Sequence, residues 1–290
     1  MDSSITDAED AFAVVASRLR LQILKTLDDA AGEARTFTHL YREVDADNTS
    51  QFAYHLEEFH PHYVQRSTEG YAIRDVGRRL VESVNAGEYT VEPEFEPFTL
   101  DTHCPHCGTV SARATYDGQL ATVSCESCGT SLLRYDLRPA HVASRTAREA
   151  LVAADRQMRA EFGAAIDGVC QRCGGTTTAE LHGGADASPA TAILACECDH
   201  CGASHSAPVP IALLGHPPTM CHLAEHGQNP HETPVWKLLP EVATWDVESS
   251  APSTATVSLP SGRRVTVHVD DGVTVRTEQA GDRDVSGTTE

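Results

Sequence analysis

Eight of the ten cysteines fall into four Cys-x-x-Cys pairs, and the pairs group two by two along the 290 residues. Cys104, Cys107, Cys125 and Cys128 form the first set, with 17 residues between half-pairs; Cys170, Cys173, Cys198 and Cys201 form the second, with 24. Two residues between thiolates let one tight turn aim both sulfurs at a single ion, and a second turn on a neighbouring hairpin completes a tetrahedron. A glycine follows each pair (Gly108, Gly129, Gly174 and Gly202), where the backbone has to curl around the metal. The spacing predicts two zinc ribbons with two structural Zn2+, each closed by four cysteines with no open coordination position. An iron–sulfur cluster could also use four thiolates. A redox function would need only one pair, and disulfides would suit a secreted chain. Met1-Asp-Ser-Ser-Ile5 has neither the basic head nor the apolar run of a signal peptide.

Two cysteines lie outside the pairs. Cys196, two residues before Cys198, is expected to pack on the strand entering the knuckle. Cys221 stands among His216, His222, His226 and His231. His222 and His226, at i and i+4, can share a helix face, so a third metal site is conceivable there, although Pro217, Pro218 and Pro230 make the flanks irregular. His39, His55, His60 and His62 are scattered, and packing or exposure explains them.

Net charge is −20, and the basic residues are 20 Arg against only Lys25 and Lys237. This composition resembles proteins of salt-loving archaea, whose surface carboxylates hold water and hydrated cations. At molar salt the Debye length is about 3 Å, so acidity does not forbid nucleic-acid binding, although it removes the basic-patch argument for it. No apolar run approaches a membrane span. A cytoplasmic protein with no membrane partner is expected.

Helical spacing of Phe12, Val15, Leu19 and Ile23 predicts a helix over Asp10–Leu27. A short helix over Thr38–Val44 and a third helix from Asp47 or Asn48 to about Phe59 follow. Phe52, Leu56 and Phe59 share one face of that third helix, with Ser50, Tyr54 and Glu58 opposite. Extended runs at Tyr63–Arg66 and Gly70–Ile73 flank a hairpin turn, and a last helix from Asp75 would turn Val76, Leu80 and Val84 inward. The fold class is therefore α+β: an N-terminal winged helix-turn-helix, two zinc ribbons bridged by a helix, and a small C-terminal antiparallel sheet.

The expected boundaries are a winged unit over 1–86, a Glu/Pro-rich linker over 87–100 and ribbon one over 101–138, with a hairpin at Asp117-Gly118. A bridging helix over 139–167, helical from Pro139 to about Gly163, leads to ribbon two over 168–214, with a looser loop at Gly183–Pro189. A short helix around Thr219–His226 and a sheet complete 215–277, the strands being Ala243–Val247, Thr254–Leu259, Arg263–Val269 and Val273–Thr277. A disordered tail covers 278–290.

Arg18-Leu-Arg-Leu-Gln-Ile-Leu-Lys-Thr-Leu27, Ser50-Gln-Phe-Ala-Tyr-His-Leu56 and Glu69-Gly-Tyr71 resemble the ArsR-like winged-helix regulators of archaea over about 80 residues. The ribbon–helix–ribbon region looks like the C-terminal part of haloarchaeal regulators of uncharacterised function. The resemblance implies a DNA-binding transcription regulator acting on double-stranded DNA as a homodimer, its first and last winged-domain helices pairing. Asn48, Thr49, Ser50, Gln51 and Tyr54 would lie near bases or phosphates, Gln51 reading adenine bidentately. Arg66 and Arg74, flanking the wing, would meet phosphate or the minor groove. The sequence departs from a basic recognition helix: 47–59 carries no Lys or Arg, but Glu57 and Glu58. Many ArsR-like proteins release DNA on binding metal through helix cysteines, and residues 1–86 contain none. The competing class is an adaptor docking on a transcription-machinery protein without reading sequence; an RNA-binding or redox-responsive module is a third. No phosphate loop, nucleophile elbow or open zinc position points to an enzyme.

Overall fold

The computed structural model describes residues 12–90, 92, 94–118, 120–183, 192–229, 231–251, 253–270 and 272–279. The expected loose loop beyond Gly183 and the tail beyond 279 lie outside these residues, as does the start of the first expected helix. The chain is a mixed α+β structure that divides into two compact units, Met1–Glu92 and Pro93–Glu290. Four antiparallel sheets are formed among the described residues.

In the first unit, α1 (Arg18–Asp28), α2 (Phe37–Glu43) and α3 (Thr49–Glu57) precede a hairpin of β1 (Val64–Arg66) and β2 (Tyr71–Ile73), then α4 (Asp75–Asn85). Leu19, Ile23, Leu24 and Leu27 of α1 meet Leu40, Phe52, Leu56, Phe59 and Val81 in one core. Burying a side chain of the size of Phe52 or Leu56 contributes roughly 1.5–3 kcal/mol, which fixes the inward face of α3 and leaves the other face free. Gly70, at φ +136°, sits where β2 pairs with Arg35, and a Cβ there would overlap the Arg35 carbonyl.

Two expectations fail here. The long first helix is broken: residues 12–15 are helical, but Ser17, at the N-cap position of α1, is extended and makes no side-chain cap bond. Arg20 bridges that break, donating Nη1 to the carbonyls of Ala13 (3.1 Å) and Val14 (2.8 Å). Apolar periodicity runs through a cap without registering it. Val76 is 54% exposed instead of inward, and α4 buries Gly77 and Val81.

In the second unit, β3 (Phe98–Leu100), β4 (Ala112–Tyr116), β5 (Leu120–Cys125) and β6 (Ser131–Asp136) form one meander. A helical turn, α5 (Pro139–Val142), and α6 (Ala147–Ile166) lead to a second meander of β7 (Thr177–His182), β8 (Ile193–Cys198) and β9 (Ser204–Pro208). After α7 (Val209–Ala212) and a 3-10 turn come α8 (Pro217–Glu225) and α9 (Val235–Val242). The last meander is β10 (Asp246–Ala251), β11 (Thr254–Ser258), β12 (Arg263–Val269) and β13 (Val273–Gln279). Strand β3 thus lies inside the stretch expected as linker, and β13 runs two residues into the expected tail. The bridging helix is two helices: Thr146 caps α6 and makes a reciprocal capping box with Glu149.

Helix α9 was not legible, because Pro234 and Pro240 punctuate its sequence. Pro240 has no N–H to offer the Trp236 carbonyl four residues earlier. The buried Thr102 hydroxyl donates to that carbonyl instead, at 2.5 Å. Asp155, 0% exposed on α6, ties three elements together. It accepts from Tyr135 Oη on β6 (2.9 Å) and the Val235 N–H at the start of α9 (3.0 Å), and pairs with Arg159 at 2.9 Å. Burial pushes its carboxyl pKa up, opposed by Arg159 and by both of those donors. Nearby, Arg138 and Gln157 both donate to Glu161 at 2.7 Å, and His141 Nε2 meets Gln157 Oε1 at 2.7 Å.

Asp155→Ala strands the buried partners of this carboxylate, and we expect a loss of about 3–5 kcal/mol in denaturant unfolding of the metal-loaded chain. Thr102→Val orphans one buried carbonyl and should cost about 1–3 kcal/mol. An Asp155→Ala variant as stable as the parent contradicts the role given to this hub.

Candidate metal centres and nucleic-acid interface

The four knuckles share one local structure. In each, the glycine N–H donates back to the carbonyl of the first cysteine: Gly108 to Cys104, Gly129 to Cys125 and Gly174 to Cys170 at 2.8 Å, and Gly202 to Cys198 at 3.0 Å. The first cysteine's own N–H donates across the turn, to the carbonyls of Thr109, Thr130 and Gly175 at 2.9 Å and of Ala203 at 2.8 Å. The glycines lie at φ +69° to +75°, a backbone region that penalises any side chain. One knuckle precedes the first hairpin strand and the other joins the second strand to the third (β4–β5–β6, then β7–β8–β9). The two modules are therefore topological repeats, and β3 is an addition to the first.

These turns gather the sulfurs into two quartets, Cys104/Cys107/Cys125/Cys128 and Cys170/Cys173/Cys198/Cys201. Sulfur separations are 3.8 Å for Cys104–Cys128 and 3.6 Å for Cys107–Cys125. They are 3.7 Å for Cys170–Cys201 and 3.5 Å for Cys173–Cys198. Four sulfurs at about 2.3 Å from one tetrahedral ion stand about 3.8 Å from one another, so each quartet is sized for a single ion. A cluster with a different iron behind each sulfur would hold them farther apart. The knuckle donors favour a thiolate at one cysteine of each quartet, while burial and the neighbouring sulfurs push Cys104 up to about 11 and Cys173 up to about 12. The Cys201 and His200 N–H groups bring the Cys198 thiol down to about 6. Against the opposing effect of burial, the Cys128 N–H and the Thr109 hydroxyl bring Cys125 to about 6.

The remaining cysteines stay outside these centres. Cys196 is buried on β8, where burial pushes its thiol up to about 11, an inert packing thiol. Cys221 is exposed. One ligand atom each from His222, His226 and Glu241 falls within 4.8 Å of the others. The two histidines were visible as an i, i+4 pair. Glu241, fifteen residues beyond His226, was not, because only the packing of α9 brings it there.

On α3, Thr49, Ser50 and Tyr54 are exposed, Tyr54 by 58%. Asn48 and Gln51 are committed to the helix start. The Gln51 N–H donates to Asn48 Oδ1 at 2.8 Å, and the Asp47 N–H donates to Gln51 Oε1 at 3.1 Å. In this state Gln51 lacks the free carbonyl oxygen that bidentate contact with adenine needs. Arg66 and Arg74 are both exposed. The Arg66 guanidinium lies 5.7 Å from the Tyr71 ring, and Arg74 donates to the Pro61 carbonyl at 2.6 Å. The acidic end of α3 has an internal explanation: Glu58 pairs with the buried Arg20 at 3.3 Å. Arg20 Nε also donates to His55 Nδ1 at 2.9 Å, so His55 is a packing residue. Burial first, then the Arg20 charge, hold its pKa down.

A cavity of about 550 Å3 opens beside α6, β6 and β9, lined among others by Arg134, Asp136, Met158, Glu161, Arg172 and His205. No helix among the described residues is long and apolar enough to cross a membrane.

Residues 101–275 match a family model described as a domain of unknown function (DUF7351), and residues 8–84 match another described as a domain of unknown function (DUF7347). No curated protein matches the chain, and no solved structure does.

Cys104→Ser should cost the protein one equivalent of bound metal by atomic emission and melt the β3–β6 meander, because metal binding in such modules is worth about 10–16 kcal/mol. Undiminished metal stoichiometry in that variant would refute the ligand assignment.

Proposed function

The chain belongs to the DUF7351 family, and we propose that it is a DNA-binding transcription regulator, a winged helix-turn-helix followed by two structural zinc ribbons. The observation that carries this reading is the disposition of α3. Its Phe52–Leu56 face is locked into the core, and the exposed side of its N-terminal half presents Thr49, Ser50 and Tyr54. The hairpin β1–β2 follows directly, flanked by exposed Arg66 and Arg74. A recognition helix in the major groove beside a phosphate-contacting wing has this layout. Zn2+ suits the quartets because four thiolates at tetrahedral spacing match its preference. These ions hold folds together, and the cavity beside α6 offers a place for an effector.

A second reading, docking on a protein of the transcription machinery without sequence-specific DNA binding, is favoured by the exposed apolar side chains Tyr54, Val76 and Tyr89. Val76 on α4 is equally placed to serve a two-fold dimer of winged domains.

Selection from a randomised duplex pool in molar KCl separates the readings. A regulator enriches a discrete site that the protein protects from cleavage; an adaptor enriches nothing. On the enriched duplex, Arg66→Ala should weaken binding to all sequences alike and lower the salt slope by about 1. Ser50→Ala should alter preference at one base pair by less than the roughly 1–3 kcal/mol of a bidentate contact. Pools that stay random with the zinc-loaded dimer would refute the regulator.

A further inference from the structure

We infer that His222, His226 and Glu241 form a third metal site, for a borderline divalent ion such as Zn2+, Co2+ or Ni2+, with a coordination position left open. His222 carries the argument. Its side chain is 0% exposed, and neither ring nitrogen makes a hydrogen bond. Burying an imidazole with neither nitrogen hydrogen-bonded is costly, and a metal bond to one of them relieves that cost. Nε2 stands 3.4 Å from Glu241 Oε1. Two donors at about 2.0–2.1 Å from a tetrahedral ion are about 3.3–3.4 Å apart, so this pair already spans one edge of a coordination polyhedron.

His226 completes the face. It caps the C-terminus of α8 one turn beyond His222, and the two rings lie 4.3 Å apart between centroids. Its Nδ1 is 2.8 Å from the His222 carbonyl. A carbonyl only accepts, so Nδ1 carries the proton and Nε2 keeps its lone pair for a metal. Fixing the tautomer through the other ring nitrogen is the usual support of a metal-bound histidine. The site draws on two elements, α8 and α9, and the Trp245 and His222 rings pack in a T-shaped pair with centroids 5.7 Å apart.

Two imidazoles and a carboxylate select borderline first-row ions over Mg2+ or Ca2+. Three protein donors leave a fourth position for water or a small anion, and the exposure of His226 puts the centre within reach of solvent. That separates it from the closed thiolate quartets: it should exchange its ion with the medium while they hold theirs. Glu225, inside the His222-x-x-Glu225-His226 spacing, pairs with Arg263 at 2.8 Å, and no catalytic step is assigned to it.

The test uses the full-length protein with both thiolate quartets filled by zinc. Titration with Co2+ should add one equivalent, with visible d–d bands and no sulfur-to-cobalt charge transfer. His226→Ala and Glu241→Gln, both altering side chains at least partly open to solvent, should each weaken this binding about 100-fold or more while the zinc content of the quartets is unchanged. His222→Ala should do the same, and the two milder variants decide the matter if it misfolds. Failure of the two-zinc protein to bind cobalt overturns the proposal. So does binding that survives both milder variants, or cobalt that shows thiolate charge transfer.

Discussion

Gathering four sulfurs closely enough to hold one ion is a condition that the second unit meets twice. Thiolates at 3.5–3.8 Å repel one another unless a cation sits between them, so the ion and the hairpins that aim the sulfurs depend on each other. The chain meets the condition with one device used four times. A cysteine N–H crosses the turn, a glycine N–H returns to the cysteine carbonyl, and the glycine takes a left-handed backbone. Because the device is confined to six residues, the hairpins between half-pairs are free to differ, and 17 and 24 residues serve equally well.

Metal alone does not make the second unit cohere. Each quartet fastens two turns of its own meander, and the meanders are joined through the apolar core around α6. Within that core the protein buries a carboxylate, an expensive choice that needs full satisfaction. Asp155 draws on β6, α6 and the start of α9, partners separated by 20 and 80 residues in sequence. The Thr102 hydroxyl on the Trp236 carbonyl repairs the defect that Pro240 introduces four residues later. Directional polar bonds therefore set where α9 lies, and Glu241 is carried beside His222 as a consequence.

Features governed by local rules could be read from the sequence. The knuckle spacing, the Asp117-Gly118 hairpin that pairs Tyr116 with Ala121, and the inward face of α3 each depend on residues a few positions apart. What escaped depends on distant partners or on a cap hidden within a continuous apolar period. Ser17 breaks a helix whose stripe runs on undisturbed, and Thr146 starts α6 inside a stretch expected as one helix. Val76 obeys the spacing of an inward residue, yet α4 is rotated so that Gly77 faces the Tyr63 carbonyl and Ile73 at contact distance. Helix α9 is masked by prolines whose compensation lies on Thr102, and the third ligand of the histidine pair becomes visible only after α9 is placed.

The same distinction bears on how α3 would read DNA under the proposed function. A glutamine at the start of a recognition helix suggests contact with adenine, but Gln51 gives its carbonyl oxygen to the Asp47 N–H. Recruiting it to a base would expose that backbone donor at the helix start, so part of the gain would be lost as capping. The side chains free without such a loss are Thr49, Ser50 and Tyr54, and hydroxyls discriminate among bases less sharply than bidentate amides. With no Lys or Arg in 47–59, phosphate contacts fall to residues outside the helix, Arg66 and Arg74 foremost. A reader built this way leans on wing placement and duplex shape, and a dimer that engages two half-sites supplies the remaining selectivity.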